Sequence, residues 1–387
     1  MDQLPNAVEI GQRLRETALR GFVPVPESSQ APPWGGSTRA DIDRLGCPVP
    51  GVMALACSLV GLRLNGPGEK VAWWTTFMLD GARYELAHQK FGLRLRLASD
   101  GLDPADVESR MRATIKRLVS ATKIVEKEVS KQSQTLIDRG DATVINQHFR
   151  LHRVYEYFRD RAVNPEVVED LNEESETTFG TSWLFRSGKA VMELNSSHDA
   201  AAAVTAYLSR FEHDLVLALP FAGFDPASDH LTQFIGMRWG LKFDRIFGGD
   251  KRARSLLERL IQVVEAWRNP YAHGGFEKGH GSTVYIHTPV AGALPVGLSA
   301  ARARPSLALG ITHSISVAEV FALFDEIDEW FAGTWKQAFA WIDSGLAVRF
   351  DSEFLNELEL CHADQERFES FLSYSEYRQD QIDNMDF

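Results

Sequence analysis

Cysteine is scarce: Cys47, Cys57 and Cys361 are the only three in 387 residues. They are too few and too scattered for a disulfide framework or a cysteine-rich metal centre. No apolar run approaches the ~20 residues of a membrane span, the longest being Val52 to Gly61. The opening residues MDQLPNAVEI lack the basic region and apolar stretch of a secretory leader. A cytoplasmic protein of a reducing compartment, with no membrane partner, is the expectation. The common catalytic fingerprints are missing too. Ser187-Gly188-Lys189 is followed by Ala190 and lacks the upstream glycine of a phosphate-binding loop, and there is no G-x-G-x-x-G, G-x-S-x-G or H-E-x-x-H. His280, His287 and His313 have no acidic or cysteine companions at ligand spacing, so neither a metal nor a cofactor is expected.

What is present describes a folded chain. With 44% hydrophobic, 10% aromatic and 24% charged residues it can bury real cores, and its length suggests two or three domains. The net charge of −12 is unevenly spread. Residues 319–387 hold 17 acidic and 4 basic side chains, so they carry −13 and the rest of the chain +1. Residues 236–304 hold 11 basic and 5 acidic side chains, a local +6 that leaves an RNA partner open.

The patterning predicts a mainly α protein. Residues 1–163 read as an N-terminal helical domain with an irregular Pro/Gly/Ser-rich lead-in; 69–98 is ambiguous and assigned to helix, although Phe91 to Leu97 alternates like a strand. Asp103-Pro104 opens a long helix whose apolar residues at 107, 111, 115, 118, 125, 129 and 136 run to Asp138, roughly 50 Å at 1.5 Å per residue. Residues 143–162 are expected to fold back on it as an antiparallel helical hairpin. Residues 164–180, with six acidic side chains and none basic, read as a linker. A helical domain follows over 181–345, with helices at 197–219, 230–247, 251–273 and 317–342 and a small β-hairpin from 283–288 and 307–315. Residues 346–387 form an acidic C-terminal segment, which either docks through Phe354, Leu355, Leu358 and Phe368 or competes with RNA for the basic region.

One segment carries a chemical signature: Trp267-Arg268-Asn269-Pro270-Tyr271-Ala272-His273-Gly274, at the end of an amphipathic helix. Asn269 and His273 are four apart and share a helix face, so the amide can orient the imidazole, while Arg268 projects about 100° round and stays charged. A second Arg-to-His spacing, Arg83 to His88, has Tyr84 in place of the small polar residue and reads as coincidence. The Arg268 segment resembles the R-[polar]-x-x-x-H motif of the HEPN superfamily, small helical domains of RNA-cleaving toxins and antiviral defence proteins. The resemblance covers residues 194–342. It implies a metal-independent endoribonuclease in which His273 takes the proton of a ribose 2′-OH, Arg268 stabilises the phosphorane and a 2′,3′-cyclic phosphate results. It also implies a homodimer through this domain, two motifs meeting across the interface, and a phage-defence or toxin–antitoxin setting with an antitoxin or other protein partner. Arg238, Lys242 and Arg245, spaced four and three apart, are candidate RNA phosphate contacts. The competing expectations are a non-catalytic HEPN-like module that binds nucleic acid or a partner, and a helical scaffold.

Overall fold

The computed structural model describes residues 6–26, 36–178, 180–268, 284–290, 292–297, 306–307 and 315–384. About 59% of the protein is helical, in twelve helices among the described residues, with small antiparallel sheets. It divides into two compact units, residues 1–137 with 377–387, and residues 138–376.

In chain order the first unit holds α1 (Ala7–Glu16), β1 (Val23–Pro24), β2 (Ser37–Asp41), α2 (Pro50–Leu59), β3 (Val71–Leu79), β4 (Ala82–Gln89), β5 (Gly92–Ala98) and most of α3 (Pro104–Asp138). Its strands form one antiparallel sheet in the order β1-β3-β4-β5-β2. The β3–β4 turn is set by Asp80 and Gly81, whose φ values of 50° and 74° suit a tight two-residue hairpin turn. One sheet face carries Phe77, Leu79, Tyr84, Leu86, Leu95 and Leu97, and α3 lays Val107, Met111, Leu118, Ala121 and Val125 into the same core. Phe22, Phe77 and Tyr84 stack at centroid spacings of 4.7 and 5.3 Å.

These observations correct the helical reading of the N-terminal region. Residues 71–98 are three strands, and the partner of α3 is their sheet rather than a returning helix. The long helix itself has the expected limits: Asp103 accepts the Ala105 N–H at 3.2 Å at its start. Arg83 and His88 lie five apart on β4, hence on opposite faces, so they form no site.

The second unit is helical. α4 (His148–Val163) packs along α5 (Gly188–Ala218). His148 meets Asp214 at one end and Ala162 meets Ser196 at the other, so the two run antiparallel. The expected hairpin pairing thus exists with a different partner, and α4 belongs to the second unit. Between these helices the acidic linker is ordered as a hairpin, β7 (Leu171–Thr177) with β8 (Gly180–Arg186). The stretch expected as one helix over 230–247 is two, α6 (Leu231–Gly236) and α7 (Trp239–Phe247), broken at Met237. α8 (Lys251–Val263) follows, then β9 (Val284–Thr288), β10 (Gly292–Gly297) and β11 (Ser306–Leu307). β9 pairs with β10 and β10 with β11; of the strand expected over 307–315, residues 308–314 lie outside the described residues.

α9 (Val317–Thr334) starts at a Ser316/Glu319 capping box and gives way to α10 (Lys336–Asp343). Tyr207 of α5 stacks on Phe324 of α9 with ring centroids 3.7 Å apart. Phe243, Phe247, Trp330 and Phe331 extend this aromatic core. β6 (Thr143–Val144) pairs with β12 (Val348–Arg349). The acidic end is helical, α11 (Ser352–Cys361) and α12 (Gln365–Asn384). Phe354, Leu358, Cys361 and Phe368 are buried, and Trp341 contacts Phe354 and Phe371 at 5.0 and 5.2 Å. Of the two alternatives for this segment, docking holds for residues 352–371. Leu355 is half-buried rather than sealed.

Candidate functional site

α8 owes its position to a polar start and a single apolar face. Asp250 accepts the Arg252 and Ala253 N–H groups at 2.6 and 3.2 Å, satisfying two orphan donors of the first turn. Ala253, Leu256, Leu257, Leu260 and Val263 fill one face, and Glu326 of α9 binds Arg252 and Arg259, the latter at 2.6 Å. The helix then widens into a π turn over Val264–Arg268. Such local widening is frequent at functional positions. Here it buries Ala266 and Trp267 side by side and leaves Arg268 half-buried. The Trp267 indole N–H donates to the Ile315 carbonyl at 3.0 Å, tying the end of α8 to the start of α9. Arg268 makes no ion pair with any described residue. Asn269 and His273, the other two candidate catalytic residues, lie outside the described residues, as do Pro270, Tyr271 and Ala272.

The candidate phosphate contacts are not brought together on an open face. Lys242 is 3% exposed and its ammonium is bound by Glu212 at 2.6 Å. Arg245 donates to the Ala222 and Gly223 carbonyls at 3.2 Å and to Asp229 at 3.0 Å. Lys242 is thus buried in an ion pair, while Arg245, 35% exposed, is partly engaged by Asp229 and two carbonyls. Arg238 is exposed and precedes the first turn of α7. The three do not share a helix face: Arg238 is the extended residue before α7, Lys242 reaches Glu212 of α5, and Arg245 reaches the segment from Ala222 to Asp229.

The largest polar constellation was not anticipated. Arg210 of α5, 3% exposed, donates to both Asp328 oxygens at 2.5 and 2.7 Å and to His152 Nδ1 at 3.1 Å. Tyr207 donates to Asp328 at 3.0 Å, and Arg159 grips Asp325 bidentately at 2.6 Å. His148 Nδ1 lies 2.9 and 3.0 Å from the Asp214 oxygens, and His213 Nε2 accepts the Gln147 N–H at 2.9 Å. Burial pushes the Tyr207 and Tyr155 hydroxyls far above their ordinary range. Burial also works against the Arg210 charge, but Asp328, Tyr207 and Asp214 outweigh it. Burial lowers His152 and His213, with Arg210 adding to the effect on His152. The network joins α4, α5 and α9. Its sequence signal was Arg210 and Asp214, four apart on the apolar stripe of Tyr207 and Phe211, where charge is costly unless paired.

No group of His, Cys, Asp and Glu among the described residues could hold a metal ion, and no described helix is long and apolar enough to cross a membrane. The three cysteines are buried and free, and burial pushes the Cys57 thiol up to about 12. An open groove of about 1040 Å³ walled by Phe221, Phe224, Trp335, Leu355 and His362 contains none of the candidate residues. Compared with protein families, with curated proteins and with solved structures, the chain matches none.

Proposed function

We propose that this protein is a metal-independent endoribonuclease of HEPN type whose site is Arg268, Asn269 and His273. The observation that carries the reading is the setting of Arg268: in a π turn that continues α8, half-buried, without an ionic partner among the described residues, and next to Trp267, whose indole N–H is held by the Ile315 carbonyl. A guanidinium serving only the fold is normally spent on a carboxylate or carbonyl, as Arg245 and Arg210 are. A half-buried guanidinium with no such partner among the described residues is available to a phosphate.

His273 then removes the ribose 2′-proton, and the 2′-oxygen attacks the adjacent phosphorus. The P–O5′ bond breaks, leaving a 2′,3′-cyclic phosphate on one fragment and a 5′-hydroxyl, which takes up a proton, on the other. Arg268 stabilises the charge that builds on the phosphorane oxygens, and Asn269 orients the imidazole. The discriminating substrate is an RNA oligonucleotide carrying one 2′-deoxyribose at the cut position. That bond is expected to survive while the all-ribose control is cut; equal cutting of both rules the chemistry out. A non-catalytic partner-binding role for the same helical unit is favoured by one feature, the exposed aromatic side chains of β8.

A further inference from the structure

We propose that the β7–β8 hairpin is a dimerisation arm that docks on the outer face of α4 in a second copy of this chain. The arm is tied down at its root. Asp170 accepts the Gly188 N–H at 2.7 Å, and a Cβ at Gly188 would stand 2.0 Å from the Val168 carbonyl oxygen, so the chain is drawn tight there. Beyond the root every residue of β8 is exposed, including Trp183 (74%), Leu184 (55%) and Phe185 (63%). A two-stranded ribbon with no core of its own is marginal in water. Three consecutive large apolar side chains left in solvent mark a surface that another surface covers.

The register fixes the chemistry of that partner. Trp183 lies opposite Glu174, Phe185 opposite Asn172 and Thr181 opposite Glu176. Side chains alternate along a strand, so Trp183, Phe185, Glu174 and Glu176 occupy one face, aromatic with an anionic border. β7 carries three carboxylates and no basic group. The complement is an apolar surface bordered by arginine, and α4 offers one. Phe149, Val154 and Tyr157 are exposed on it, interleaved with Arg150 and Arg153, and Arg153 makes no ion pair among the described residues. Steps of three and four place Arg150, Arg153 and Tyr157 on one face of the helix. Trp183, Leu184 and Phe185 stay exposed within one copy, so the α4 face assigned to them belongs to another. Two-fold symmetry lets each arm cover the other copy's helix, which doubles the contact and closes the assembly. RNA is the poorer occupant of the arm, because its carboxylates repel phosphate.

This inference stands apart from the nuclease reading, since its test uses protein alone. Light scattering of the full chain at micromolar concentration is expected to give twice the monomer mass. Trp183→Ser with Phe185→Ser should weaken association by about tenfold or more, since two aromatic anchors are lost and one well-placed anchor is already worth about that much, with the helical circular dichroism unchanged. Arg153→Glu and Glu174→Arg should each weaken it, and the two together should restore it. A monomeric wild type, a dimer indifferent to the arm variants, or a charge swap that fails to rescue overturns the proposal. So does a dimer that keeps its mass in Arg153→Glu while losing RNA binding, which would make the α4 face a nucleic-acid surface.

Discussion

Asp328 holds both carboxylate oxygens within 2.5 and 2.7 Å of the Arg210 Nη2 atom, inside the seam between α5 and α9. The Arg210 Nε has no hydrogen-bond acceptor, its nearest acidic group being Asp214 at 3.8 Å. Removing Asp328 would strand a buried guanidinium. Asp328→Ala is therefore expected to cost about 3 kcal/mol or more, whereas Asp325→Ala, which breaks a pair exposed by 33% and 45%, should cost about 1 kcal/mol. Urea denaturation of the two variants measures the difference; equal losses contradict the ranking.

Acid should loosen the α4–α5 seam. His213 accepts a backbone N–H and His152 accepts from Arg210, so both rings bind in the unprotonated form. Burial lowers both, so the unfolded chain takes up protons that the folded chain refuses. Stability contributed by these rings is fully present above about pH 6.5 and falls below it, by at most about 1.4 kcal/mol per pH unit for each ring. Denaturation between pH 7 and pH 5 should show this slope, and His213→Gln, which keeps an acceptor for Gln147, should flatten it. An unchanged slope in that variant assigns the loss elsewhere.

Lys242 should matter to the fold and not to RNA. Each phosphate contact on single-stranded nucleic acid adds about 0.7 to the slope of log affinity against log salt. Lys242→Met is expected to leave that slope unchanged in a fluorescence anisotropy titration while lowering thermal stability, because Glu212 already occupies the ammonium. A slope reduced by the full contact would return Lys242 to the RNA surface.

Truncation before Asp351 should expose the aromatic core rather than free a basic groove. Phe354, Leu358 and Phe368 leave with the segment, uncovering Trp341. The shortened chain is expected to be less stable or less soluble, with no gain in RNA affinity at low salt. Tighter RNA binding by a folded truncated protein would reinstate competition by the acidic end.

The parts of the fold legible in the sequence were those with one dominant local signal. α3 announces itself by Asp103-Pro104 and apolar steps of three, four and seven, and α8 by its leucine stripe. The β3–β5 meander was passed over although Asp80-Gly81 is a hairpin signal, because Val71–Leu79 is half-buried even at its outward positions and reads as a continuous apolar run. The acidic 164–180 stretch looked like solvent-exposed linker, and its six carboxylate residues are exposed, but cross-strand pairing from Leu171 to Arg186 orders its second half. Helix pairing was not legible: α3 and α4 are adjacent in sequence, yet the sheet on one side and Asp214 on the other decide their partners. In the motif, the leucine stripe of α8 carries the helix as far as the π turn at Arg268, while the inward turn of Lys242 depends on Glu212, thirty residues away.

The most direct test is RNA cleavage by purified protein in EDTA, with wild type, Arg268→Ala and His273→Ala compared at equal helical content. Wild type is expected to cut single-stranded RNA to fragments ending in 2′,3′-cyclic phosphate, and each substitution to abolish the cut, general-base loss alone being worth about a hundredfold or more. Cleavage that requires a divalent metal, or that persists in both variants, contradicts an Arg268–His273 site.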